Sequence, residues 1–221
     1  MVTTHQTHFL ENIKNLISQI KDNTHTIILS SEGIYNSWWD FPEASKELLS
    51  VLAELFDTHI WVWFREPVGF IESFYKQCIR NPEVIGNPCY GKNLSLSQML
   101  EIEWFSQHLD YQGFVSQCEA LFGKTKVSVF QYDGDIVQEV IAKLGLATPH
   151  DNPTPRQNQS LNSVSIALLR TLNQFELSAK DKEQLMPHLK EINRITSHKN
   201  TSFVDSSVKS RILAMAKPIA F

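Results

Sequence analysis

One short stretch constrains the fold more than any other, because a strand-like run turns directly into a helix. Residues 60–64 read IWVWF, and such β-branched and aromatic residues are typical of a buried strand. Arg65, Glu66 and Pro67 follow as a turn, and apolar residues then recur at helical spacing over about 68–79. A buried strand that leads straight into a helix is a basic unit of α/β proteins.

The same alternation of strands and helices recurs along the chain. Further strands are predicted at 26–29 and 127–130, and helical patterns at 8–20, 42–55, 96–108, 110–122, 136–144, 163–175 and 180–195. This order predicts the α/β class, with a mainly parallel sheet flanked by helices. The last twenty residues are weakly patterned. No repeat or linker divides the 221 residues, so we expect a single domain over 1–221.

Composition excludes several function classes. The net charge of -4 argues against a broad nucleic-acid or membrane surface. Three widely spaced cysteines show neither a metal-binding spacing nor a disulfide framework, which suits a reducing compartment. The first residues lack a signal-peptide pattern, and no apolar stretch approaches the ~20 residues of a membrane helix. We therefore expect a cytoplasmic protein with no metal, no nucleic-acid partner and no membrane partner.

The predicted strand ends locate a candidate anion site. Ligands of parallel sheets bind beyond the carboxyl ends of the strands, and Glu32, Arg65 and Tyr132 each lie at or just past such an end. Ser73 lies in the helix that follows Arg65. A forked guanidinium and a hydroxyl are donors suited to phosphate, so Arg65 and Ser73 are predicted to converge on one. The alternative is that Arg65 pairs with a nearby carboxylate, Glu66 or Asp40, while Ser73 faces solvent.

The run from Arg65-Glu66-Pro67 to Ser73-Phe74-Tyr75 resembles the segment with which sulfotransferases hold the 3'-phosphate of 3'-phosphoadenosine 5'-phosphosulfate. Three further segments agree in order: IILSSEG resembles the catalytic-base strand, FGKTKVSVFQYD resembles a strand ending near adenine, and RQNQSLNSVSIALLRTLNQF resembles a downstream segment of bacterial carbohydrate-type members. The resemblance covers roughly residues 26–175. It implies a sulfotransferase-like, P-loop-type fold, and sulfuryl transfer from that nucleotide to a hydroxyl of a carbohydrate or small-molecule acceptor.

The resemblance also implies roles for individual residues. Glu32 matches the catalytic base, Tyr132 would lie against the adenine, and Arg156 would lie near the nucleotide. Each of these three roles has an alternative without a function in binding or catalysis. Glu32 could cap the next turn or pair with Arg65, Tyr132 could be a core tyrosine, and Arg156 could stand in an exposed loop.

One expected part of the donor site has no counterpart in the sequence. The family binds the 5'-phosphosulfate with a loop rich in glycine, threonine and lysine ahead of the catalytic-base strand. Here residues 8–20 read as an amphipathic helix, and no glycine precedes Gly33. We therefore expect an N-terminally incomplete domain. Three explanations of the absent loop stay open: a truncated sequence, a non-catalytic relative that binds nucleotide or protein, or a second chain that supplies the loop. A separate alternative is a different α/β transferase in which the Arg65 pattern is coincidental.

Overall fold

The structure is a computed structural model that describes residues 15, 18, 19, 26–31, 33–134, 136–146, 160–199, 201–217 and 219. Its strands are β1, Ile60–Phe64, and β2, Val127–Gln131. Its helices, α1 to α10 in chain order, are Gly33–Ser37, Glu43–Leu55, Pro67–Arg80, Leu96–Met99, Glu103–Ser106, Tyr111–Phe122, Ile136–Lys143, Ser163–Leu172, Ala179–Ile195 and Ser206–Met215. Within these residues, no helix has both the length and the apolar character needed to cross a membrane.

The two strands form a small parallel sheet flanked by helices. Their register runs from Ile60 opposite Val127 to Phe64 opposite Gln131. Parallel neighbours require a long crossover connection, and the segment from α3 to α6 supplies it here. The coarse α/β class predicted from the sequence is therefore confirmed, although the described part of the chain is mostly helical and its sheet has two strands.

The strand predicted at 26–29 is wrong. Residues 26–31 have no regular secondary structure, and Ile27, Ile28 and Leu29 are 43%, 58% and 69% exposed. A strand exists only where a neighbour completes its hydrogen bonds, and neither β1 nor β2 pairs with this segment. The apolar run therefore does not form the third strand that a larger parallel sheet would need.

The helix predicted at 96–108 is divided. It forms α4, α5 and a 3-10 turn, Gln107–Leu109. The division falls at Ile102, whose extended backbone (φ -91°, ψ 118°) interrupts the helical hydrogen bonds. The helix predicted at 110–122 is confirmed as α6 and ends at Gly123, which has a positive φ of 91°.

Helix α3 lies between two apolar clusters. One cluster packs on the sheet, and its buried members are Trp38, Phe64, Tyr111, Phe114 and Cys118. The other joins α3 to the C-terminal helices, and includes Ile71, Phe74, Tyr75, Cys78, Ile79, Ile166, Leu169, Leu189 and Ile212. Phe70 of α3 packs against both. The helix that follows Arg65 is thereby fixed from two sides.

Candidate functional site

The carboxyl ends of β1 and β2 bring two of the predicted site residues together. Arg65 follows β1 and Tyr132 follows β2, and the Tyr132 amide donates a hydrogen bond of 2.8 Å to the Phe64 carbonyl. This bond extends the parallel ladder by one step. The Arg65 guanidinium carbon then lies 4.4 Å from the centroid of the Tyr132 ring, which is a cation–π contact.

The backbone of Arg65 is held by a residue that the sequence did not single out. Tyr111, the first residue of α6, donates its hydroxyl to the Arg65 carbonyl at 3.1 Å. Its ring stacks on Phe64 with a centroid distance of 4.2 Å and an interplanar angle of 11°. Burial raises the pKa of the Tyr111 hydroxyl above its usual value, so this group stays a donor at all ordinary pH values.

The carboxylates considered as partners of Arg65 are engaged elsewhere. Glu66 is the N-cap of α3, where its side chain accepts hydrogen bonds from the amides of Val68 and Gly69. Asp40 accepts a 2.6 Å hydrogen bond from the indole of Trp104. Among the described residues Arg65 forms no ion pair, and its side chain is exposed. The guanidinium is therefore available to an anion from solvent.

Ser73 lies on the exposed side of α3, whereas Ile71, Phe74 and Tyr75 on the same helix are buried. Its hydroxyl has no hydrogen-bond partner within the described ranges, so it too remains a free donor. Six residues of helix separate it from Pro67, a rise of ~9 Å. Its convergence with Arg65 on one phosphate stays a prediction.

Two predicted site residues, Glu32 and Arg156, lie outside the described residues. The chain directly after Glu32 is described. It forms α1, and the ring of Tyr35 in that helix lies 5.5 Å from the ring of Phe64 with an edge-to-face geometry. Helix α1 therefore lies beside the carboxyl end of β1, at the edge where Arg65 and Tyr132 meet.

Aromatic side chains on one face of the sheet form a row that ends at Arg65 and Tyr132. Residues that face each other across parallel strands share a face, so Trp61, Trp63 and Phe130 lie on one side of the sheet. We call these three residues the aromatic face. Arg65 and Tyr132 lie two residues after Trp63 and Phe130, respectively, so they are on the same side of the sheet, just beyond the last paired residues. The cation–π pair therefore stands at the carboxyl end of a row of aromatic rings.

Helix α7 contacts the aromatic face through polar groups. The Trp63 indole donates a 2.6 Å hydrogen bond to Glu139, and the Lys143 ammonium lies 3.8 Å from the centroid of the Phe130 ring. Lys143 and Glu139 also form an ion pair of 3.6 Å. These contacts fix the ring orientations and add one cation, itself already paired, to this side of the sheet.

The described residues contain no group of three or more histidine, cysteine, aspartate or glutamate side chains placed to hold a metal ion. We compared the chain with protein-family models, with curated proteins and with solved structures, and none of the three comparisons found a match.

Proposed function

We propose that this chain binds the 3'-phosphate of an adenosine nucleotide through Arg65 and Ser73, as a sulfotransferase-like protein with a P-loop-type fold. The observation that carries the proposal is the exposed Arg65 guanidinium, held over Tyr132 at the carboxyl edge while both nearby carboxylates are engaged elsewhere. An unpaired guanidinium can donate several hydrogen bonds to a phosphate, and the phenol ring can offer an apolar surface to the purine.

The reaction that we propose is sulfuryl transfer from 3'-phosphoadenosine 5'-phosphosulfate to a hydroxyl of a carbohydrate or small molecule. The acceptor oxygen forms a bond to sulfur, and the bond from sulfur to the phosphate oxygen breaks with its electron pair. The products are the sulfate ester and 3'-phosphoadenosine 5'-phosphate. Glu32 takes the hydroxyl proton as general base, and Arg156 contacts the nucleotide.

The test of the binding site is calorimetric titration with 3'-phosphoadenosine 5'-phosphate and with adenosine 5'-monophosphate, which lacks the 3'-phosphate. Loss of a charge-assisted hydrogen bond costs about 1.5–3 kcal/mol, so Arg65→Ala should weaken binding of the first ligand by about 10- to 150-fold. Binding of the second ligand should change little.

The matched control for this titration is Arg80→Ala. Arg80 is the last residue of α3, an exposed arginine at the opposite end of the same helix, ~20 Å from its first turn. Its removal should leave the affinity for both ligands unchanged. Equal loss of affinity in the two arginine variants, or no loss in Arg65→Ala, would show that Arg65 does not bind the 3'-phosphate.

A second candidate is a nucleotide- or protein-binding module without transfer activity. The observation behind it is that residues 1–32 contain no glycine, so this stretch itself forms no glycine-rich loop for the sulfate half of the donor. Transfer of radiolabelled sulfate to a panel of hydroxylated acceptors separates the two. Turnover that falls in Glu32→Gln supports the enzyme, and nucleotide binding without turnover supports the module.

A further inference from the structure

The ring of Tyr111 is held in place by three other aromatic rings. It stacks on Phe64 at a centroid distance of 4.2 Å, and the rings of Tyr35 and Phe70 meet it with edge-to-face geometry at 6.1 and 5.9 Å. Only 2% of the residue is exposed. Close packing of this kind leaves a side chain little freedom to move. The Tyr111 hydroxyl therefore has a fixed position in the domain.

This hydroxyl acts on the short junction between β1 and α3. It donates to the Arg65 carbonyl at 3.1 Å, while the Phe64 carbonyl accepts from the Tyr132 amide. The next residue, Glu66, is the N-cap of α3. The backbone that carries the Arg65 side chain is thus held on both sides. This sets the direction in which the side chain leaves the backbone, and in that direction the guanidinium lies over the Tyr132 ring.

The first turn of α6, which carries Tyr111, is held in turn by the C-terminal segment of the chain. The Lys217 ammonium forms a 2.8 Å ion pair with Asp110, the N-cap of α6. The Lys217 amide donates to the Leu109 carbonyl at 3.1 Å, and its carbonyl accepts from the Gln112 amide at 3.3 Å. Amides in the first turn of a helix have no partner within their own helix, so Lys217 completes this end of α6.

The residues around Lys217 are packed as well as hydrogen-bonded. Ala216 packs against the apolar cluster that joins α3 to the C-terminal helices. Ile219 packs against the cluster on the sheet, to which Tyr111 belongs. An exposed ion pair alone contributes little to stability. Two backbone hydrogen bonds and apolar contacts on either side of Lys217 make this attachment a firm one.

We propose that Tyr111 is a positioning residue for the anion site at Arg65, and that the C-terminal segment acts on the site through it. The contacts run from Lys217 to the start of α6, and from the Tyr111 hydroxyl to the Arg65 carbonyl. They end at the guanidinium over Tyr132. Without them, the guanidinium leaves the ring, and phosphate binding has to order it again at a cost in conformational entropy. This inference rests on the proposed function, because the affinity that it concerns is that of the Arg65 site.

The first test removes the hydroxyl alone. Tyr111→Phe keeps the ring and deletes the bond to Arg65. Protons held over an aromatic ring resonate upfield, so the Arg65 side-chain NMR signals should move toward their positions in Tyr132→Leu, which lacks the ring. In calorimetric titrations, the affinity for 3'-phosphoadenosine 5'-phosphate should fall about 3- to 10-fold, the effect of one ordinary hydrogen bond. The affinity for adenosine 5'-monophosphate should change little.

The matched control is Tyr75→Phe. Tyr75 is also fully buried, and its hydroxyl donates to the Leu94 carbonyl at 3.2 Å in the other apolar cluster. Its loss should leave the Arg65 signals and both affinities unchanged. Equal effects of the two substitutions on the Arg65 signals, or no effect of Tyr111→Phe, overturn the proposal. A wild type that binds no nucleotide overturns the proposed function instead, and the Arg65 signals still decide the role of Tyr111.

The second test concerns the C-terminal segment. Lys217→Met removes the ion pair to Asp110 and should change the affinity and the Arg65 signals in the same direction as Tyr111→Phe, but less, because its backbone hydrogen bonds remain. Lys209→Met, at an exposed position of α10, controls for the lost charge and should change neither. Tyr111→Phe/Lys217→Met should bind as well as Tyr111→Phe alone. Additive losses, or no effect of Lys217→Met, overturn the role of the C-terminal segment. If Tyr111→Phe does not fold, Lys217→Met and its control decide.

Discussion

Replacing Lys182 by methionine should remove a specific pH dependence from the stability of the domain. Lys182 lies in α9 and is only 4% exposed. Its ammonium donates to the carbonyls of Ile79 and Asn81, at the C-terminal end of α3. Burial lowers the pKa of this lysine from 10.5 to about 8, and the charge of Glu83 opposes the shift only in part.

The direction of the effect follows from the two pKa values. The unfolded side chain keeps its proton up to about pH 10.5, whereas the folded one releases it near pH 8. Between these values the unfolded state binds more protons, so the free energy of unfolding should rise with pH. The full difference corresponds to about 3 kcal/mol, or roughly 1.4 kcal/mol for each pH unit inside the window.

The assay is urea unfolding, followed by circular dichroism, at pH 7, 8, 9 and 10. Buried thiols act in the opposite direction over the same range, since burial raises the pKa of Cys89 to about 12. The informative quantity is therefore the stability of the wild type minus that of Lys182→Met, which should grow with pH above 8. Lys180→Met, an exposed neighbour on α9, is the control and should follow the wild type. A difference that stays constant from pH 7 to 10 would refute the reasoning.

Two further predictions concern the capping of α3 and a buried histidine. Glu66→Ala removes the acceptor of the Val68 and Gly69 amides and should lower the free energy of unfolding by about 1 kcal/mol in urea titrations, whereas Glu183→Ala on an exposed side of α9 should cost nothing measurable. His108 is fully buried, its Nε2 donates to the Asn36 carbonyl at 3.0 Å, and burial lowers its pKa below 6.5. The unfolded state then takes up a proton that the folded state resists, so stability should fall as the pH drops below about 6.5, and less steeply in His108→Gln.

The elements that the sequence predicted well are those whose signals are local. β1 was predicted at its observed bounds, and β2 within one residue of its end, because β-branched and aromatic runs were bounded by polar turns. Pro67 and Gly123 likewise marked the start of α3 and the end of α6. The strand predicted at 26–29 failed because pairing depends on a distant partner. Helix α10 was not predicted, since its apolar residues are few and weakly patterned.

The candidate site likewise contains some features that the sequence predicted and others that it could not predict. The meeting of Arg65 and Tyr132 followed from one general rule about the carboxyl ends of parallel strands. The hydroxyl of Tyr111 on the Arg65 carbonyl could not be predicted, because it joins residues 46 positions apart. The hydrogen bond from Trp104 to Asp40 could not be predicted either, because these residues are 64 positions apart. This bond engages Asp40 and so leaves the Arg65 guanidinium without that carboxylate as a partner. Such contacts depend on how helices pack, which a single sequence does not specify.

The position of Phe70 between both apolar clusters has a consequence for how the domain opens. α3 is joined to the sheet at its first turn and to the C-terminal helices along its length and at its last carbonyls. Neither cluster can be exposed without removing neighbours from this helix, so the two halves share one cooperative unit. Beyond local fraying, we therefore expect opening of the Arg65 edge to be coupled to opening of the core around α3. A ligand bound at that edge would then stabilise helices that it never touches.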